Sequence, residues 1–167
     1  GIVYGIGAFS LAKDIGVSNK EAKHYIESYL AHYSGVDSYM KNVVEKANAD
    51  GYVETMFGRR RNLPELTSSK HMIRAFGERV ARNMPIQGTA ADIIKIAMIK
   101  VDERMKAENL RARLVLQVHD ELIVEAPQDE SMRVALIVQE EMENAVKMSV
   151  PLTADAAIGR TWYDAKG

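Results

Sequence analysis

Leu114-Val115-Leu116-Gln117-Val118-His119-Asp120-Glu121-Leu122-Ile123-Val124-Glu125-Ala126 places two adjacent carboxylates inside an apolar, β-branched run. Val, Ile and Leu on either side read as two short strands, and His119-Asp120 is the polar break that turns one into the other. The carboxylates of Asp120 and Glu121 therefore sit at a hairpin tip. Two neighbouring acids repel and are costly to desolvate, so they call for separation or for a cation. A hard divalent metal is one such cation. The other reading is a solvated turn, since Asp is a common turn residue. The spacing leaves both open.

Around this stretch lies a chain of 167 residues, 47% hydrophobic and 27% charged, long enough to bury a core and of globular rather than disordered composition. It has no cysteine, which excludes a disulfide framework and thiolate metal centres and fits a reducing compartment. No apolar run approaches the roughly 18 residues of a bilayer span, and nothing at the start reads as a signal peptide, so no membrane partner is expected. The first residues, Gly1-Ile2-Val3-Tyr4-Gly5-Ile6-Gly7, lack a cap and look like the interior of a larger element. A fragment is expected.

Net charge is −1, but the charges are unevenly placed. Arg59 to Arg82 holds seven bases against two acids, and Asp120 to Lys147 holds eight acids against two bases. One region suits phosphates and the other a cation, unless both are solvated helix faces.

The flanking elements follow from periodicity. Ser18-Asn19-Lys20-Glu21 is a capping box, followed by a helix with Ala22, Tyr25, Ile26, Tyr29, Leu30 and Tyr33 on one face and a break at Ser34-Gly35. A second helix carries Val36, Met40, Val43, Val44 and Ala47 and ends at Asp50-Gly51. Tyr52 to Phe57 alternates as a strand, Gly58 turns, and Arg59 to Leu63 leave it as a short extension, paired or unpaired and ended by Pro64, that displays Arg59, Arg60 and Arg61 on a rigid loop. From about Lys70 to about Ala107 a long helix or a bent pair is expected, with a kink or break at Pro85. Arg79, Asn83 and Gln87 recur every four residues along it. Such a line is either an ordinary polar face or a track along a nucleic-acid groove, where amides can meet minor-groove acceptors without choosing a sequence. After the hairpin, Ala135, Val138, Met142, Ala145 and Val146 mark the buried stripe of another helix, and Val150 to Asp155 opens a final strand. The order predicts an α+β fold: helix-rich, with an antiparallel sheet covered on one side by helices.

Gln117-Val118-His119-Asp120-Glu121 resembles the palm motif of family A DNA polymerases, the bacterial DNA polymerase I class. Gly1-Ile2-Val3-Tyr4-Gly5 is similar to the tail of that family's nucleotide-binding fingers helix. Gly51 to Thr55 with Gly58 to Arg61, Asn83 to Asp92, and Trp162-Tyr163 match further motifs in the family's order. Several specific motifs in register weigh far more than any one of them.

The resemblance implies residues 1–50 as the C-terminal part of the fingers and 51–167 as the C-terminal part of the palm, with the hairpin at 114–126. It implies Asp120 as a catalytic metal ligand, with Glu121 beside it in a catalytic and supporting metal role. His119 would touch the primer end, Arg79, Asn83 and Gln87 would line primer and template, and Tyr4 would stack on the template or guard the nascent pair. Arg59, Arg60 and Arg61 would meet template backbone or form internal ion pairs. The implied cofactor is a pair of Mg²⁺ ions. The implied partners are primer-template DNA and deoxynucleoside triphosphates, in a monomeric, cytoplasmic, nucleoid-associated parent. A second metal-binding Asp and the triphosphate-gripping bases would lie upstream of Gly1, so the fragment alone is expected to be inactive. The rival readings are a non-catalytic DNA-binding module and a metal-dependent nuclease.

Overall fold

The structure, a computed structural model, describes residues 1–166. It is helix-rich with two small antiparallel hairpins, as the α+β expectation requires. It divides into two compact units, Gly1–Thr89 and Ala90–Gly167.

The first unit opens with a 3-10 turn, Ile2–Tyr4, then α1 (Ala8–Ile15), α2 (Asn19–His32) and α3 (Ser34–Asp50). The capping box is present as read: the Glu21 amide donates to Ser18 Oγ while the Ser18 amide and hydroxyl donate to the Glu21 carboxylate. Those bonds hold the Glu21 carboxyl below its ordinary value. The break after α2 is a single residue. Tyr33 leaves helical geometry at φ −102°, ψ 57°, and Ser34-Gly35, expected as the break, form the first turn of α3 instead. Gly51 ends α3 in the left-handed conformation at φ 77°.

The strand expected over Tyr52 to Phe57 is shorter, β1 (Tyr52–Glu54), paired antiparallel with β2 (Arg60–Asn62). Thr55 is turned into the connection, where its hydroxyl accepts from the amides of Phe57 and Arg59. The extension after Gly58 is thus paired, and Arg60 and Arg61 are strand residues. The core here is Ala47, Val53, Leu63, Leu66 and Ala81.

α4 runs from His71 to Ala107 without a break at Pro85. Proline removes one backbone donor and crowds the preceding turn. The Pro85 carbonyl accepts the Thr89 hydroxyl, and the Thr89 oxygen in turn accepts the Met56 amide at 3.1 Å. Gly88 lets β1 approach this turn: a Cβ there would lie 2.7 Å from Thr55 Cγ2.

In the second unit the end of α4 packs with β3 (Arg113–Val118), β4 (Glu121–Glu125) and α5 (Ser131–Glu143) around Val101, Met105, Ala112, Val134 and Ile137. The buried stripe of α5 is Val134 and Ile137, one residue round from the expected Ala135 and Val138, which are half-buried. Charge reinforces the packing. Arg104 on α4 meets Glu108, Glu140 and Glu141, and Arg133 on α5 also donates to Glu108. Hydrogen bonds from Arg133 and then Arg104 lower the Glu108 carboxyl to a pKa of about 2. Residues 150–159, expected to start with a strand, are irregular, and the chain closes with a short helix, α6 (Trp162–Ala165).

Candidate active site and nucleic-acid interface

The hairpin tip is built by register. Val118 pairs with Glu121, leaving His119-Asp120 as a two-residue turn. Tight turns of this kind need positive φ, which few residues other than Gly tolerate; His119 adopts φ 54°. Its carbonyl accepts the Gln117 side-chain amide at 2.6 Å, a bond that holds the turn from outside the ladder.

Upstream, a bulge at Val115 shifts the pairing from Leu114–Val124 to Leu116–Ile123 and Gln117–Leu122. A bulge inserts one residue and reverses which face the later side chains take. Gln117 consequently pairs with Leu122 on the face of Leu114 and Val124, and Val115, Leu116 and Gln117 are all exposed.

The two carboxylates of the tip differ in their surroundings. Asp120 is exposed and, among the described residues, neither accepts a hydrogen bond nor pairs with a cation. Glu121 is half-buried and both its oxygens are engaged: Oε2 accepts Trp162 Nε1–H at 3.3 Å, and Oε1 lies 3.9 Å from Lys166 Nζ. A divalent cation such as Mg²⁺ prefers carboxylate oxygens and keeps several waters. The uncommitted Asp120 carboxylate fits that chemistry. No cluster of three or more Asp, Glu, His or Cys side chains suited to a metal occurs among the described residues.

In the first unit, Arg79 and Gln87 are exposed along α4 with half-buried Asn83 between them. Asn83 Nδ2 donates to Gln87 Oε1 at 2.8 Å. The Gln87 carbonyl is thereby taken, and its amide N–H₂ is the group left to face outward. Arg79 lies 5.9 Å from the Phe76 ring centroid. Tyr4, partly exposed, ends the 3-10 turn just before Gly5, whose left-handed backbone (φ 80°) lies close to the Arg82 side chain.

The three arginines separate. Arg60 donates to Glu54 at 3.1 Å and stacks over Tyr52 at 4.5 Å, an internal use. Arg61 is exposed and makes no ion pair among the described residues, and Arg59 is exposed at the turn.

Thus the structure joins His119, Asp120 and Glu121 in one turn, and Asn83 and Gln87 in one hydrogen bond. Three residues without a site role in the sequence reading meet the hairpin tip: Gln117 and Trp162, quoted only within motifs, and Lys166. The contact of Gln117 accompanies a bulge that no pattern announces. The capping box Thr161/Asp164 that shapes α6 was legible as a Thr-x-x-Asp spacing.

Residues 1–164 match the family model described as DNA polymerase family A. The chain is 54% identical over 166 residues to DNA polymerase I of Bacillus caldotenax and 51% identical to that of Bacillus subtilis, in each case over 99% of this chain and 19% of the relative. It therefore spans about a fifth of the length of these relatives. Among solved structures it is similar to the POL domain of Pol1 from M. smegmatis, in complex with DNA primer-template and dNTP, with a TM-score of 0.95 and 46% identity over 100% of this chain and 30% of that one. The chain belongs to DNA polymerase family A.

Proposed function

We propose that this chain is the C-terminal fingers (1–50) and palm (51–167) portion of a DNA-directed DNA polymerase that adds deoxynucleotides to a primer 3′ end. The primer 3′ oxygen attacks the α-phosphorus of a deoxynucleoside triphosphate, the bond to the β-phosphate oxygen breaks, and pyrophosphate leaves. The observation that carries this reading is Asp120: an exposed, unpaired carboxylate fixed at the apex of a braced hairpin. Its similarity to a polymerase domain solved with primer-template and dNTP supports the choice of partners.

Asp120 would hold a divalent cation, with Glu121 beside it in a supporting role. A pair of Mg²⁺ ions, if held there, would supply charge stabilisation for the attacking and the leaving oxygen. The chain's own residues supply placement. His119, exposed at the tip, meets the primer terminus. Gln87 presents its amide donors to the minor-groove acceptors that every base pair carries, and Asn83 fixes their direction. Arg61, Arg59 and Arg79 offer guanidinium donors to phosphate oxygens. Tyr4 stacks at the template base.

The testing experiment is Mg²⁺-dependent primer extension by the full-length protein and by residues 1–167 alone. The full-length protein extends and the fragment does not, because Asp120 needs a partner carboxylate from upstream. Template-directed incorporation by the fragment would contradict this. The exposed, unpaired Arg61 favours a second reading, a non-catalytic DNA-binding module, whose signature is affinity that falls steeply with salt without any extension. Cleavage of unprimed DNA without triphosphates would instead mark a nuclease.

A further inference from the structure

The C-terminal turn is shaped so that two side chains reach the hairpin tip. Thr161 caps α6: its hydroxyl accepts from the Asp164 amide, and the Asp164 carboxylate accepts from the Thr161 amide at 3.1 Å and hydroxyl at 2.8 Å. Gly159 allows the chain to fold back under this helix, since a Cβ there would lie 2.6 Å from the Ala165 backbone nitrogen and 2.8 Å from the Asp164 carbonyl carbon. A clash with backbone cannot be relieved by turning a side chain. The four-residue helix thus sets Trp162, its first residue, and Lys166, its C-cap, one turn apart, with the Lys166 ammonium 5.1 Å from the Trp162 ring centroid.

Both groups are spent on one residue, Glu121. The indole N–H takes one carboxylate oxygen and the ammonium approaches the other. A carboxylate on a flexible side chain would otherwise be free to swing toward Asp120, where like charge and shared cation would compete for its direction. With the indole N–H on one oxygen and the ammonium 3.9 Å from the other, its rotation is restricted and part of its charge is compensated.

We propose that Trp162 and Lys166 are positioning residues that fix the Glu121 carboxylate beside Asp120, in a supporting orientation rather than as a freely moving ligand. The inference rests on the polymerase reading above and names residues that act through Glu121. Neither touches the reacting atoms.

The test is a cycle of variants in the full-length protein. W162F keeps the ring and removes the N–H; K166Q removes the charge; E121A removes their common target. Charge-assisted hydrogen bonds contribute more than neutral ones, and this pair is partly exposed, so W162F is expected to lower kcat about three- to tenfold. KM for the nucleotide and affinity for primer-template stay unchanged. In the E121A background W162F has no further effect. The indole N–H resonance of Trp162, identified by its loss in W162F, shifts in E121A and hardly moves in D120A.

Equal losses from W162F with and without Glu121, or an indole resonance indifferent to E121A, overturn the proposal in favour of plain packing by α6. Should W162F melt at a lower temperature than the parent protein, K166Q, altering an exposed side chain, carries the same comparison with the same two outcomes. D120A separates the two levels of the account. Extension that survives D120A removes the polymerase reading itself, whereas extension lost in D120A but indifferent to W162F and K166Q removes only the positioning role.

Discussion

Gln117 donates its side-chain amide to the carbonyl of His119 across 2.6 Å, so that an amide two residues before the turn holds the left-handed peptide that aims Asp120. Replacing Gln117 by Ala is expected to destabilise the second unit by about 0.5–1.5 kcal/mol, the net worth of one hydrogen bond. In the full-length protein kcat for incorporation falls by more than that loss of stability alone explains, because the aim of Asp120 is relaxed. Denaturant unfolding and single-turnover extension check the two halves. Full activity with the expected loss of stability would make the bond structural only.

The ion-pair network between α4 and α5 gives the second unit a pH dependence of known sign. Glu108 has its carboxyl lowered from 4.5 to about 2 by Arg133 and Arg104. A depressed folded-state value contributes stability that is present above the unfolded value and is lost as pH falls through the folded one. The melting temperature is therefore expected to drop as pH falls from 4.5 towards 2, and E108Q is expected to start lower at neutral pH and to show a shallower slope. Thermal melts across that window decide it; parallel slopes for the two proteins would remove Glu108 as the cause.

Much of this arrangement was legible beforehand. Ser18/Glu21, the Gly51 stop and the apolar runs flanking Asp120 are local signals, and local chemistry decided them. At Pro85 the long helix, not a broken pair, is what forms: α4 runs unbroken through it. Strict alternation failed along β3, where the bulge shifts the register and Val115, Leu116 and Gln117 are exposed in succession. Residues 150–155 have strand composition but no paired neighbour among the described residues, and composition alone does not make a ladder. The site divides in the same way. Asp120 was visible from the sequence because two acids in an apolar run need a reason. The partners of Glu121 were not, being 41 and 45 residues away along the chain and joined to it only by folding.

Gln87 provides a test of the interface that leaves the metal-binding acids intact. With its carbonyl held by Asn83, its free donors suit acceptors common to all base pairs. Gln87→Ala in the full-length protein is expected to weaken primer-template binding about two- to tenfold, the worth of one hydrogen bond. Equilibrium binding to primer-templates with different terminal pairs should show the same loss for each. Unchanged affinity and incorporation would return Gln87 to an ordinary polar helix face.

The central claim is that Asp120 at the hairpin tip carries the chemistry. Its most direct test is single-nucleotide incorporation by the full-length protein with Asp120→Ala, measured beside binding of the same primer-template. The account predicts that incorporation is almost abolished, by at least about a thousandfold as for loss of a principal electrostatic group, while DNA binding stays within a few-fold of the unsubstituted protein. Incorporation at the unsubstituted rate would contradict it.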